Sequence, residues 1–544
     1  MIKKIRQFLL KNHLDALIIS RTDSFLGEYY PPEKDQLKNA TGFTGSAGLA
    51  VVTGDSSVLF VDSRYTEQAK TESDFKVFEI PTETLPSTWM VQNLKGMKIG
   101  YNPEQRSVGW VTYLMGQNLD LIPVKEEDWQ DLFPIQKGKE KPAFDYDPSY
   151  AGEATESKIK KVASYLQSKK LDAYVFTTPD SVSYLLNKRS LWVPEYPVLF
   201  RRLVVFSDGR FMELTNDLSD LLGKKVGLDL RMAPMGIFQR IKAVAEISDI
   251  PDVVEEMKSV KNVTEQQNIR QACLFESRTI CRFLAFVEQN KADMDELGCD
   301  LKLKELRSES ELYRGDSFDT IAAVGAHAAM AHYQATKKTN LPVTAAPLLL
   351  VDTGGNYLNG TTDMTRTICI GTPTDEMKKR YTQVLKGHIA LATSVVHQGD
   401  LPCDLDLKAR SFLRADGLDY GHSTGHGIGM YLAVHEAPPI IYEKSTTPLT
   451  AGMLFSNEPA YYKSGEFGIR LENMIMTLPG PDDTLILENL LWIPFDGRMV
   501  LFELLTDAEK DWLSHYHQAI LERIFPDLTL AEQQALHPLI DFFL

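Results

Sequence analysis

The run Leu348-Leu-Leu-Val-Asp352-Thr-Gly-Gly, followed by Asn359-Gly-Thr-Thr-Asp363-Met-Thr-Arg-Thr367, decides how this chain is read. A continuous apolar run ending in an acid, then Gly-Gly-Asn, then an alternating threonine-rich run, predicts two strands joined by a tight connection. Folded as a hairpin, it would set Asp352 and Asp363 beside each other at one height. An acid closing an apolar run is costly to bury unless paired or coordinated, and Asp352 has that setting. Downstream, Gly421-His422-Ser-Thr-Gly-His426-Gly-Ile-Gly429, Ser456-Asn-Glu458-Pro and Gly468-Ile-Arg470-Leu-Glu472-Asn473 place two more acids and histidines on strands or strand ends.

Those residue types suit a shared metal site. Two divalent cations held about 3.5–4 Å apart need carboxylates that bridge, since each offers two oxygens and a charge. Four carboxylates balance two dications, leaving one imidazole to complete the set. Oxygen-rich ligation favours a hard ion such as manganese(II). A water between two cations loses its proton near neutral pH and attacks carbonyl carbon, which is a hydrolase design. Any one of these acids alone reads as a surface carboxylate, and a lone histidine as a satisfied polar residue. The ordered ensemble argues otherwise, and seven of the eleven histidines fall between 327 and 435.

The order DTGG…TTDMTRT, GHSTGHGIG, VHEAP, SNEPAYY and FGIRLEN closely resembles the pita-bread metallopeptidases, in particular the long, three-domain aminopeptidase P (Xaa-Pro aminopeptidase) group. Separations match too: eleven residues between the two aspartates and fourteen between the two glutamates. The resemblance implies dinuclear ligands Asp352, Asp363, His426, Glu458 and Glu472, all present. It also implies that His332 and His435 flank the metals and touch the scissile region, where an imidazole donates to an oxyanion or protonates the leaving nitrogen. His422 could assist by the same reasoning. Arg470 lies two residues from Glu472, so on a strand both face one way and Arg470 can hold ligand carboxylates. Glu458, ahead of Pro459, fits a strand end and could also accept the water's proton.

At 544 residues the chain is long enough for three or four domains, and 43% hydrophobic content supports packed cores. A net charge of −16 disfavours nucleic acid and anionic membranes as partners. Five cysteines (Cys273, Cys281, Cys299, Cys369 and Cys403) form no zinc motif or disulfide framework, so a reducing cytoplasm is expected. The basic start Met1-Ile-Lys-Lys-Ile-Arg precedes an apolar run too short for a signal peptide, and no run reaches membrane-spanning length.

Ile2-Lys-Lys-Ile…Leu14-Asp-Ala16-Leu-Ile-Ile recurs 157 positions on as Ile159-Lys-Lys-Val…Leu171-Asp-Ala173-Tyr-Val-Phe, each reading as helix then strand. A strand at Leu49–Val52 has its counterpart at Arg202–Val205. The expected organisation is therefore two duplicated creatinase-like α/β domains, 1–140 and 141–255, and a pita-bread catalytic domain, 256–544. The joins fall at the Pro- and charge-rich segment 134–148 and near 251–262. The segment Val61-Asp-Ser-Arg-Tyr65 reads on its own as a strand edge, but resembles the family's DGRY motif and nominates Arg64 for substrate binding; Ser63 replaces the Gly. Asn187 and Arg189 match a family segment whose Gly-Ser-Asp is lost here. His332 fits G-x-N-G-A-x-x-H-Y, with His327 and Ala328 replacing Asn and Gly.

A long helix is expected from Lys261 to about Gln289, and one from Thr382 to Val396, on which His388 packs or faces solvent. Thr506/Glu509 and Thr529/Glu532 fit capping boxes, with Leu513, Tyr516, Ile520 and Ile524 as a core-facing stripe. The resemblance implies a manganese-type dinuclear exopeptidase, commonly dimeric, removing the N-terminal residue from peptides with proline second. A prolidase, a metal-free creatinase-type hydrolase and a non-catalytic pita-bread binding module are the alternatives.

Overall fold

The computed structural model describes all residues except 135–137 and 139, so the first expected join, 134–148, lies partly outside the described residues. The chain forms two compact units, 1–148 with 153–256, and 149–152 with 257–544. No helix among the described residues is long and apolar enough to cross a membrane.

The first unit holds the two repeats. In the first, strand Ala16–Ser20 pairs antiparallel with Leu49–Thr53 and parallel with Lys98–Tyr101. In the second, Ala173–Phe176 pairs in the same senses with Leu203–Phe206 and Lys225–Leu228. Each sheet continues outward in matching order, and the first gains one extra edge strand, Lys76–Ile80. The correspondence reaches single side chains. Asp15 accepts from the Lys98 N–H at 2.8 Å, and Asp172 accepts from the Lys225 N–H at 2.8 Å. The repeats meet in a reciprocal contact in which Val108 N–H donates to Ala233 O and Met235 N–H donates to Arg106 O. Ser107 bridges Pro234 between them. One apolar cluster draws on both repeats, including Ile18, Val51, Phe60 and Ile99 from one and Val175, Val204, Val226 and Leu228 from the other.

The second unit opens with helix Val263–Asn290, started by an Asn262/Glu265 capping box. Such a cap contributes about 1 kcal/mol. Its buried stripe, including Ile269, Cys273, Ile280 and Leu284, packs in one core with Leu349, Val351 and Ile368. Strand Leu348–Thr353 lies between Ile321–Val324 and Met364–Cys369, all antiparallel. A second sheet of six strands carries Gly425–Gly427, Leu454–Asn457 and Asn473–Pro479. Both expected tail capping boxes form, and Leu513, Tyr516, Ile520 and Ile524 are buried.

Two expectations need correction. The helix expected over 382–396 is Asp375–Ala392: Thr374 caps it by accepting from the Met377 N–H, and its polar first turn hides the start. The second concerns the Asp352/Asp363 hairpin. Residues 354–362 do not simply turn; Gly355–Tyr357 and Gly360–Thr361 form their own hairpin, paired with Tyr313–Asp316. The register that results sets Asp352 opposite Thr365. Asp363 is therefore a diagonal neighbour of Asp352 on the same face, two residues off, not level with it.

Candidate metal centre

The two glutamates sit at one break in a long hairpin. Leu454↔Met476 through Asn457↔Asn473, and Ala460↔Arg470 through Lys463↔Phe467, keep a single register. Carried through the gap, that register puts Glu458 opposite Glu472. Pro459 has no N–H to give to the ladder, so pairing lapses there. The freed backbone groups turn outward. Glu458 N–H donates to Thr424 O, beside the Gly425–Gly427 strand, and Glu472 N–H donates to Thr365 O, on the Met364–Cys369 strand. One interruption thus ties the glutamates to both the histidine strand and the aspartate strand. His388, buried behind them, pins the break: its Nδ1 lies 3.3 Å from Leu471 O, and its own carbonyl accepts from Asn457 Nδ2. Burial lowers its pKa to about 3, so it is neutral packing.

Around this break the acids converge. Asp363, His426 and Glu472 each offer a ligand atom within 4.8 Å of the others. His426 Nε2 is 3.4 Å from Asp363 Oδ2 and 3.3 Å from Glu458 Oε1. Its Nδ1 lies 2.9 Å from Gly427 O, which fixes the tautomer with N–H on Nδ1 and turns Nε2 to the acids. Glu472 Oε2 accepts from Thr365 Oγ1 at 2.7 Å. Asp352 Oδ2 accepts from Arg470 Nη2, whose Nε donates to the same Thr365 Oγ1 at 3.2 Å. Asp352 Oδ1 and Glu472 Oε1 are buried and accept no hydrogen bond among the described residues.

The electrostatics follow from four buried acids sharing one space with Arg470 and His426. Burial, against the pull of Arg470, raises Asp352 to about 6. Burial, with the charges of Asp363, Glu458 and Asp352, holds Glu472 well above the usual carboxylate range. Burial would lower His426, but its contact with Asp363 and the charge of Glu458 prevail and raise it to about 9. Its proton stands where a cation is wanted. Full ionisation of the four acids against Arg470 and His426 would leave two charges uncompensated; burial and that repulsion hold Glu472 and Asp352 up instead, and two buried oxygens lack partners among the described residues. An oxygen-rich donor set with spare buried lone pairs fits hard divalent cations.

His435 stacks edge-on against His426, ring centroids 4.4 Å apart. His332 is half-buried and follows Ala331, whose carbonyl accepts from Arg470 Nη2. His422 is neutral, lowered by burial to about 4, with Nδ1 2.7 Å from Ser423 O and Nε2 2.9 Å from Tyr462 OH. Arg64 lies in the first unit, its Nε and Nη2 each 2.8 Å from Asp62. Arg189 is buried in that unit over the Tyr146 ring. His327 is anchored by Glu296 at 2.7 Å and stacked on Tyr333.

Sequence reasoning passed over two side chains. Tyr462 hydroxyl accepts from Arg470 Nη1 and donates to His422 Nε2, making one chain of hydrogen bonds. Thr365 joins Arg470 to Glu472. Strand periodicity held the signal, since Tyr462 is four residues from Glu458 and Thr365 two from Asp363.

Comparison with known proteins gives matches along most of the chain. Family models match residues 267–478 (Metallopeptidase family M24), 1–129 and 136–214 (both Creatinase/Prolidase N-terminal domain) and 483–537 (C-terminal region of peptidase_M24). The "Probable Xaa-Pro aminopeptidase P" of Pyricularia oryzae is 31% identical, over 96% of this chain and 95% of its own. "Xaa-Pro aminopeptidase 2" of Sus scrofa is 31% identical, over 96% and 85%. The crystal structure of X-prolyl aminopeptidase from Caenorhabditis elegans, described as "a cytosolic enzyme with a di-nuclear active site", superposes with a TM-score of 0.90 at 27% identity, covering 96% and 95%.

Proposed function

The chain belongs to the Xaa-Pro aminopeptidases of metallopeptidase family M24, pita-bread enzymes with creatinase/prolidase N-terminal domains, and from that premise we propose how its own residues do the work. Asp352, Asp363, His426, Glu458 and Glu472 hold two divalent ions, manganese(II) being the hard cation best matched to four carboxylates and one imidazole. The observation that carries this is the pair of buried oxygens, Asp352 Oδ1 and Glu472 Oε1, with no hydrogen-bond partner among the described residues in a cluster of four acids. When bound, the ions supply the Lewis acidity that activates a water and polarises a peptide carbonyl.

The residues do the rest. Glu458 takes the proton of the attacking water on a carboxylate oxygen. His332 and His435 donate to the oxyanion as the carbonyl carbon becomes tetrahedral, and supply the proton that the departing nitrogen needs. Arg470 fixes Asp352, and through Tyr462 it sets the orientation of neutral His422. The scissile Xaa-Pro bond is a tertiary amide, so its nitrogen brings no N–H for the site to satisfy. The substrate is a peptide with proline in second place. The enzyme acts in the cytoplasm as a homodimer, the first in keeping with its C. elegans relative.

The test is a panel of Xaa-Pro-Xaa, Xaa-Pro and Xaa-Ala-Xaa peptides assayed on dialysed enzyme with manganese or chelator. Cleavage of the Xaa-Pro tripeptide alone, abolished by chelator and restored by manganese, is expected. Turnover confined to dipeptides would make it a prolidase, and chelator-insensitive turnover would remove the metal reading altogether.

A further inference from the structure

Four arginines, Arg21, Arg64, Arg106 and Arg231, line a cavity of about 460 Å³ in the first unit, with Glu28 the one acid among the described lining residues. Three of the four are paired: Arg21 Nε with Asp35 at 3.2 Å, Arg64 with Asp62 at 2.8 Å and Arg231 with Asp229 at 2.6 Å. Arg106 has no carboxylate partner among the described residues. Its guanidinium rests on the Trp110 ring, 4.3 Å from the centroid. Its Nε and Nη2 are buried and donate to nothing among the described residues, and Arg21 Nη1 is in the same state. Nε and Nη2 form the edge with which a guanidinium grips a carboxylate or phosphate through two parallel bonds. Burial without a counter-charge pulls Arg106 down to about 9, still a cation at neutral pH.

The duplication supplies an internal control. The reciprocal bonds Val108 to Ala233 and Met235 to Arg106 place Arg106 and Ala233 at corresponding positions of the two repeats. Ala233 is fully buried and brings no charge. The fold therefore does not require a cation at this position of the repeat, and only one copy carries it. A half-buried arginine whose buried Nε and Nη2 lack partners among the described residues, at a position the scaffold can leave uncharged, marks a missing partner of opposite charge.

We propose that this cavity is an anion-binding site, in which Arg106 and Arg21 take the carboxylate or phosphate of a small molecule. The planar fork suits either group, and Trp110 holds it flat. Every lining residue belongs to the first unit, and the proposal rests on Arg106 and Arg21, neither of which the proposed function uses.

Calorimetry and thermal melts of the full chain at constant ionic strength decide it. The probes are inorganic phosphate, citrate, and a Xaa-Ala-Xaa peptide as free acid and as C-terminal amide. Saturable binding that raises the melting temperature is expected. Arg106→Met should weaken that binding at least tenfold while the anion-free melting temperature stays level or rises. Arg106→Lys, which keeps charge but loses the fork, should weaken it less. Arg210→Met, at an exposed arginine paired with Asp208, should bind as the parent does. Should Arg106→Met not fold, loss of affinity in Arg106→Lys carries the result. Binding of phosphate or citrate identifies a free anion; binding of the peptide acid but not its amide identifies a chain terminus; either supports the site. No saturable binding of any probe, or unchanged binding in both Arg106 variants, overturns it.

Discussion

Two clusters of buried charge in the second unit look alike by composition and differ in closure. Around Arg307, each guanidinium nitrogen has an acceptor: Nε and Nη2 on Glu276 at 3.1 and 2.5 Å, Nη1 on Asp316 at 3.0 Å. Tyr357 OH donates to the second oxygen of Glu276, and Tyr313 OH to Asp316. Around Glu472, four acids face Arg470 and His426, and two buried oxygens have no partner among the described residues. The first arrangement fastens helix Glu296–Arg307 to the core and asks for nothing more. The second is unfinished without a ligand. Burial and charge do not tell structure from function here; the unfilled hydrogen-bonding capacity does.

The comparison breaks first at the metal centre. Glu472→Gln removes one charge from a set that needs it, and several kcal/mol of transition-state stabilisation go with the ions. A fall in kcat/KM of about a thousandfold is expected, with manganese content reduced in elemental analysis. Chelated protein should melt no lower than the parent, because the lost carboxylate was repelled by its neighbours. Closely behind comes Arg307→Met in the closed cluster, which strands two buried acids and should cost about 3–5 kcal/mol in urea unfolding. Its folded fraction should bind manganese as the parent does. If the two variants exchanged phenotypes, closure would not be the criterion.

A third, smaller effect tests closure with a neutral group. His517 is fully buried, its Nδ1 2.8 Å from Leu513 O and its Nε2 accepting from the Phe495 N–H at 3.2 Å. Burial lowers its pKa to about 3. A depressed histidine takes up its proton more readily when unfolded, so its contribution is whole above the unfolded value near 6.5 and is lost as pH falls toward 3. Between pH 7 and 4.5 this group should account for about 2–3 kcal/mol of acid destabilisation. His517→Gln should flatten the stability profile over that window by this amount; an unchanged slope would show that the ring is already protonated or exposed.

The fold was legible where one residue type has one cause. The repeats showed because each buries the same helix and strand pattern, and the tail helices because a Thr and a Glu three apart cap each other. The five converging side chains were legible as ordered motifs; what brings them together was not. Nothing in DTGG announces that Gly355–Tyr357 leaves to pair with Tyr313–Asp316 and shifts Asp352 to face Thr365. Nor does Pro459 alone reveal that the N–H groups of Glu458 and Glu472 leave in opposite directions to find Thr424 and Thr365. Arg106 was invisible for a further reason: being unpaired is a property of its surroundings, and sequence shows only the residue.

Tyr462 gives the smallest expected effect and the sharpest cut between the two kinds of cluster. Its hydroxyl spends its proton on His422 Nε2 and its lone pair on Arg470, so it is closed in itself while supporting a site that is open. Tyr462→Phe keeps the ring and removes only that link. Were it purely structural, the loss would be about 1 kcal/mol of stability with kcat untouched. As a support for Arg470, and so for Asp352, it should instead lower activity by about 10- to 100-fold. The drop should lie in kcat or in manganese affinity, with KM for a Xaa-Pro tripeptide little changed. Arg470 would then lose one of its holds and Asp352 its fixed orientation, while His426 and Glu472, fastened through Gly427 and Thr365, would stay. The variant should therefore weaken manganese binding, which a titration of manganese against activity reads as a higher midpoint. A single unchanged binding step with normal kcat would leave the hydroxyl as packing.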